Sequence, residues 1–389
     1  MELNRRSRSE SKRIGGRSSR EASSEQFEFG LGVESLMRIG RKLLEYVRRL
    51  FSPEGLTALC AASSVVVTVL IFVFLFVDAF PIFQKMSYGE FFMYFIWEWG
   101  YDWILETNPW MFGGNVFVGL WNFITGGKWS PASYQFGILP LIESTLIVVG
   151  GAIVIAAPVG ILSAVHLAEY CSLRVKTVLK SMVELLASVP SVVYGLVGLT
   201  TIVPWLKETF NLSTGSTALA GIVILSIMIL PTIISVSEDA IAAVPREFKE
   251  ASYALGATKF QTIRKVVLPA AAAGIAAAIV LAVARAVGET MAVLMVTGNT
   301  PFSITYPMEY FLYGLPDKVV HFLREVFLSP VYPMTAAIAL EVGESAWGGT
   351  HFQALLGIGF VLFVITYVIN SLAEYTILRF SARMKRRTI

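Results

Sequence analysis

Six apolar stretches, each long enough to cross a bilayer, constrain this 389-residue chain more than any other feature. A hydrocarbon core of about 30 Å takes roughly 20 helical residues. The stretches run from Leu56 to Val77, Ile138 to Leu167, Val183 to Leu206, Leu219 to Ser235, Val266 to Val296 and Ala354 to Leu378. In lipid every backbone N–H and C=O must be paired within its own segment, so runs of this kind are helices. Composition agrees: 55% of residues are hydrophobic and 15% charged, against roughly 25% charged in soluble domains. The predicted fold class is an all-α integral membrane protein with six transmembrane helices. An even number of crossings returns the C-terminus to the side on which the chain begins.

The basic residues orient these spans. Of 31 Lys and Arg, 25 fall on the side of the two termini, five fall on the opposite side, and Arg285 lies inside a predicted span. Positive charge is retained on the cytoplasmic side, so both termini are predicted to be cytoplasmic. Residues 1–33, rich in Arg, Ser and Glu, read as a disordered cytoplasmic tail, because they hold too little apolar surface to offset the entropy of ordering. No short apolar segment with a cleavage site follows them, so they do not read as a signal peptide. Over 34–55, Leu36, Ile39, Leu43, Val47 and Leu50 recur at helical spacing among five basic residues. That pattern is either an amphipathic helix on the membrane surface or a helix packed on a partner.

The first transmembrane helix is placed at 56–83, an external Trp-rich segment at 84–136, a multi-span core at 137–380 and a basic tail at 381–389. All eight tryptophans fall on the outer side: Trp97, Trp99, Trp103, Trp110, Trp121, Trp129, Trp205 and Trp347. Indole rings favour the membrane interface, so the set reads as an aromatic belt. A docking surface for a soluble partner is the alternative, and the two are compatible.

Catalytic patterns are missing from the sequence. His166, His321 and His351 show no metal-ligand spacing, Cys60 and Cys171 offer neither a disulfide framework nor a thiolate site, and no phosphate-cradling Gly-rich loop occurs. No catalytic residue, metal or bound cofactor is expected on this chain. The cytoplasmic stretch between the fourth and fifth spans, 240–265, is more informative. A short helix after Pro245 is broken at Gly256, and a second helix carrying Lys259, Arg264 and Lys265 leads back to the membrane. A polar helix-turn-helix held against a bilayer is suited to passing on a push from a cytoplasmic partner.

Glu250, Ala251, Ser252, Gly256, Val266, Leu268 and Pro269 stand at the spacing E-A-A-x3-G-x9-I-x-L-P, with Ser252 for the second Ala and Val266 for the Ile. This resembles the coupling-loop signature of ABC importer permeases. Three runs narrow the resemblance: Val189–Gly195, Leu230–Ala240 and Arg285–Asn299, with His351–Leu355 near the end. They look like the PstC-type permease subunit of the bacterial phosphate importer, from about Gly137 to the C-terminus. The resemblance implies an inner-membrane permease that is not itself an enzyme. Its expected partners are a PstA-type permease, two copies of a PstB-type ATPase that carries ATP and Mg, and an external PstS-type phosphate-binding protein. Phosphate and membrane lipid complete the set, with no nucleic acid. In that family the short helix of the loop docks in a groove of the ATPase. A permease for another oxyanion, molybdate or sulfate, or for a small solute, shares the architecture.

Arg285 and Glu289 stand out without any resemblance. A charged residue in mid-span costs about 2.5–3.5 kcal/mol on insertion scales and normally faces a bundle interior or a watery path. At i and i+4 on one helix the two side chains can meet. They are read either as a mutually neutralised pair or as pathway residues, with Arg285 offering its donor fork to phosphate and Glu289 positioning it. Ser188, Ser191 and Tyr194 share the third span with Pro190 and Gly195, which reads either as an irregular helix beside a cavity or as simple interhelical hydrogen bonding. Glu341 and Glu344 follow the small apolar stretch Met334 to Leu340, which is expected to dip in from outside as a gate.

Overall fold

The computed structural model describes residues 53–86, 116–302 and 316–385. The N-terminal tail, nearly all of the amphipathic segment, Trp97, Trp99, Trp103 and Trp110 lie outside the described residues. Two units divide the chain between Ile71 and Phe72. The described part of the first unit, from Pro53, is helical throughout. The second unit holds the packing that positions the site.

Helix α1 spans Pro53–Met86. A short helix α2, Val116–Thr125, leads to a two-stranded antiparallel hairpin of β1, Trp129–Ser130, and β2, Gln135–Phe136. Helix α3, Leu139–Val165, continues through a π turn, His166–Tyr170, as one 32-residue rod. Helix α4, Leu173–Ser188, is followed by α5, Ser191–Val197, which runs through a π turn into α6, Val203–Phe210. Helix α7 is Ala218–Ala242, α8 is Arg246–Ala254 and α9 is Lys259–Thr262. A π turn, Ile263–Val267, joins α9 to α10, Leu268–Val287. Then come α11, Met291–Val296, α12, Pro316–Leu328, α13, Met334–Glu341, and α14, Thr350–Lys385.

Five of these helices are long and apolar enough to cross a membrane, or six if the bent pair formed by α4 and α5–α6 counts as one crossing. That pair corrects the third predicted span. Val183 to Leu206 is not one straight helix but the end of α4 followed by α5, its π turn and the start of α6, with the two parts meeting at 90°. Pro190 lacks an N–H, and its ring forces the preceding residue out of the helical region; Val189 and Pro190 accordingly have ψ of 130° and 138°. The fifth predicted span is also interrupted. Its helix ends at Val287, and Met291 opens a separate short helix. The fourth is longer than predicted, with 25 residues in α7, so this helix continues three residues into the stretch assigned to the cytoplasmic loop.

Helix α7 is the most buried of the spanning helices, packed between α3 and α10. Ser226 on α7 donates both to Ile222 O within its own helix and to Ala152 O on α3. The small residues of α10 let it close on α7: a Cβ placed on Gly274 would lie 2.4 Å from the Ala240 methyl, well inside van der Waals contact. A separate aromatic cluster joins the later part of α1 to α2 and α14, with Phe83 against Phe123 and Phe76 against Phe360, at centroid separations of 5.5 and 5.3 Å. Trp129 packs against Phe136 beside this cluster and is 5% exposed. It is therefore a buried residue and not part of an exposed belt, whereas Trp205 and Trp347 are exposed.

Candidate functional site

The 90° bend leaves carbonyls at the end of α4 without their helical partners, as any helix terminus does. Three side chains answer them, the nearest being Ser188, whose Oγ donates to Leu185 O at 2.7 Å. Tyr194 Oη donates to Leu186 O at 2.8 Å, and Arg285 Nη2 donates to Ala187 O at 3.4 Å. Arg285 Nη1 also donates to Thr232 Oγ1 on α7 at 3.2 Å. Arg285 thus stands in the last turn of α10 rather than at the centre of a long span, half-buried where α4, α7 and α10 meet. Its position near a helix C-terminus suits a cation. Ser191, half-buried, is the first residue of α5 just beyond the bend.

Glu289 does not pair with Arg285. The helix has already ended, so the i to i+4 relation expected from the sequence does not hold. The Glu289 carboxylate instead accepts from Ala292 N at 3.1 Å and caps α11, and its backbone carbonyl accepts from Thr335 Oγ1 at 2.9 Å. Capping of this kind satisfies one of the orphan donors at a helix start. Arg285 is held by two neutral oxygens, one a hydroxyl and one a carbonyl.

The expected outer gate resolves into two different environments. Glu341, at the end of α13, accepts from Trp129 Nε1 at 3.0 Å and Tyr332 Oη at 2.8 Å, and its other oxygen lies 2.7 Å from His351 Nε2. This carboxylate ties the hairpin, α13 and α14 together. Burial pushes the Tyr332 phenol well above its usual range, and its hydrogen bond to Glu341 adds to the shift, so Tyr332 stays protonated as a donor. Glu344 is exposed, in the turn after α13.

The coupling stretch folds as the sequence implies. Gly256 has φ of +78°, a left-handed conformation that costs an L-residue about 1–2 kcal/mol. Thr258 and Gln261 form a reciprocal capping box that restarts the chain as α9. Ser252 Oγ and Thr262 Oγ1, 2.9 Å apart, brace α8 against α9. Glu250, Ala251 and Gly256 are exposed, and Leu255 is 89% exposed. Phe248, Tyr253 and Phe260 are exposed beside them, which gives this surface more apolar area than a solvated connection needs. Leu268 and Pro269 stand at the start of α10, and the helical run from Lys259 to Val287 passes the missing N–H of Pro269 by way of the π turn Ile263–Val267.

One constellation escaped the sequence reading. Glu238 on α7 has only 1% of its side chain exposed, and two lysines of α4, Lys176 and Lys180, converge on its carboxylate. Lys180 Nζ lies 2.7 Å from Glu238 Oε2 and also pairs with the exposed Asp239. Lys176 and Lys180 are one helical turn apart, a spacing visible in the sequence. Nothing local shows which of the acidic residues their face meets.

Residues 156–386 match the family of inner membrane components of binding-protein-dependent transport systems. This chain belongs to that family. The permease is 39% identical over 255 residues to a probable ABC transporter permease protein, YqgH, of Bacillus subtilis, covering 65% of this chain and 76% of that one. It is 33% identical over 296 residues to the phosphate transport system permease protein PstC of Mesorhizobium japonicum, with 69% and 84% covered. Against PstC of Haemophilus influenzae the identity is 31%, with 66% and 80% covered. A solved chain of the MetNI methionine ABC transporter in an inward-facing form is 18% identical, covering 65% of this chain and 99% of that one, at a TM-score of 0.42. The permease is a multi-pass inner-membrane transport subunit, and the ATPase of such a system is a separate chain.

Proposed function

We propose that this permease carries inorganic phosphate inward, as one half of a heterodimer with a PstA-type permease. The reading rests above all on its likeness to PstC proteins over two thirds of the chain. Both termini and the Glu250 to Pro269 stretch face the cytoplasm in this reading. Two PstB-type ATPase subunits, carrying ATP and Mg, receive α8 and its exposed apolar face, and an external PstS-type protein delivers phosphate.

Arg285 supplies the positive charge on the path. Its present contacts are a hydroxyl and a carbonyl, neither of which neutralises it. A phosphate oxygen forms a charge-assisted bond to guanidinium roughly twice as strong as a neutral one, so passing phosphate can displace these neutral acceptors. A transient exchange of this sort suits conduction, which fails if a site binds too deeply. Glu289 shapes the same region indirectly, by fixing the start of α11, and Tyr194 and Ser191 flank the bend.

Uptake of labelled phosphate by cells that depend on this importer tests the proposal. Deletion of the gene should abolish uptake and plasmid-borne wild type should restore it. Undiminished phosphate uptake after deletion, with loss of molybdate or sulfate uptake instead, would transfer the function to another oxyanion.

A further inference from the structure

Helix α3 is attached at one end to the coupling stretch and at the other to the junction that carries Glu289. At the first end, Glu169, in the π turn that closes the rod, pairs with Lys249 of α8 at 2.6 Å. The two side chains are only 8% and 19% exposed. Tyr170 comes next, with the ammonium of Lys259 4.4 Å from its ring centroid and the His166 ring stacked on it at 5.9 Å. Both short helices of the coupling stretch are therefore fastened to the same turn of α3.

At the second end, Ser144 Oγ accepts from Tyr332 N at 3.2 Å, and Thr145 Oγ1 accepts from Met334 N at 3.0 Å. Each hydroxyl also donates to a carbonyl one turn back in its own helix, Pro140 O and Leu141 O. These two buried bonds hold the N–H groups on either side of Pro333, where α13 begins. Thr335, in the first turn of α13, donates to the Glu289 carbonyl. Ser144 and Glu169 lie 25 residues apart within the 32-residue rod, about 38 Å at an α-helical rise.

We infer that α3 is the element that carries the ATPase stroke across the protein, with Glu169 as the positioning residue at the coupling end and Ser144 and Thr145 at the other. A push on α8 reaches Glu169 through a poorly hydrated ion pair, moves α3 along its length, and displaces the start of α13 and with it Glu289. Coupling between distant sites needs a continuous chain of packed or bonded groups that both sites can bias, and these contacts form one. The inference builds on the proposed role of α8 as the ATPase contact, and its test does not depend on the cargo.

The complete transporter, reconstituted in proteoliposomes, is read two ways: phosphate moved per ATP hydrolysed, and the fold-stimulation of ATP hydrolysis by the external binding protein. Glu169→Gln cuts the first end, and Ser144→Ala with Thr145→Val cuts the second. Each should lower both quantities by about tenfold, a common size for site-to-site coupling, while ATPase subunits stay bound and basal hydrolysis persists. Cutting both ends should be no worse than cutting one, since the links act in series. Reversing the pair, Glu169→Lys with Lys249→Glu, should restore much of the loss. Wild-type stimulation in both single-end variants, or a double-end variant whose loss is the product of the two, would overturn the rod. If Glu169→Gln fails to assemble, Lys259→Ala leaves the ion pair intact and is judged by the same outcomes. A wild-type complex whose ATPase responds to the binding protein but which moves no phosphate would overturn the cargo and leave the rod to be decided by stimulation alone.

Discussion

The coupling stretch and the Arg285 junction lie at the two ends of one helix, α10, and were built in opposite ways. From Pro245 to Pro269 each turn is set by residues within a few positions of it. Gly256 supplies the left-handed turn, Thr258 and Gln261 cap α9, and Pro269 opens the long helix. Around Arg285 the partners come from far along the chain. Thr232 and Ala187 are 53 and 98 residues away in sequence, and the nearest charged neighbour in sequence, Glu289, is turned to another task. Short-range chemistry fixes a motif; an intramembrane charge takes whatever acceptors the packing presents.

Substitutions can break this comparison at either end. The largest effect is expected from Gly256→Asp, which should abolish phosphate uptake and release the ATPase, detected by loss of ATPase co-purification. No neighbouring atom lies within 4 Å of a Cβ at this position, so crowding within the chain is not the cause. Loss comes from left-handed strain and from a carboxylate desolvated under the partner. Gly256→Ala, with strain alone, should retain part of the activity.

Arg285→Gln should lower uptake by about tenfold or more, the size of one lost charge-assisted bond, while the ATPase still co-purifies. Arg285→Lys should recover little, because a single ammonium cannot span Thr232 and Ala187 as the guanidinium fork does. Wild-type uptake by Arg285→Gln would reduce Arg285 to a cap for α4 and remove the difference between the two regions.

A smaller effect on transport, but a clear one on stability, is expected of Glu238→Gln. Breaking a buried ion pair from one side costs on the order of 3–5 kcal/mol, at the lower end here because Lys176 and Lys180 are about a quarter exposed. Thermal aggregation of the detergent-solubilised permease should shift to lower temperature. An unshifted transition would show that solvent, not Glu238, carries the two lysines. The mildest case is Tyr194→Phe, which removes one hydrogen bond to Leu186 O and should cost about 1 kcal/mol, visible as a small loss of thermal stability with uptake nearly intact.

The apolar runs were legible because a bilayer leaves the backbone one solution, and a run of about 20 apolar residues already specifies it. The 90° bend was half legible. Pro190 marked an irregularity, but whether a helix kinks, swerves or turns through a right angle depends on what receives it. Glu341 was noticed as an intramembrane carboxylate, yet its partners Trp129, Tyr332 and His351 come from three separate elements, and only their assembly shows it as a tie. Glu238 gave no signal, since an acidic residue near a helix end is ordinarily solvated.

The sequence by itself determined the class of the molecule, the spanning runs and the coupling turn, because periodicity, hydropathy and a glycine's φ act over a few residues. Tertiary structure alone decided which acceptor each buried charge meets. A side chain reaches only a few ångströms, and the atoms within that reach of Arg285, Glu238 and Glu169 are brought there by helices remote in the chain.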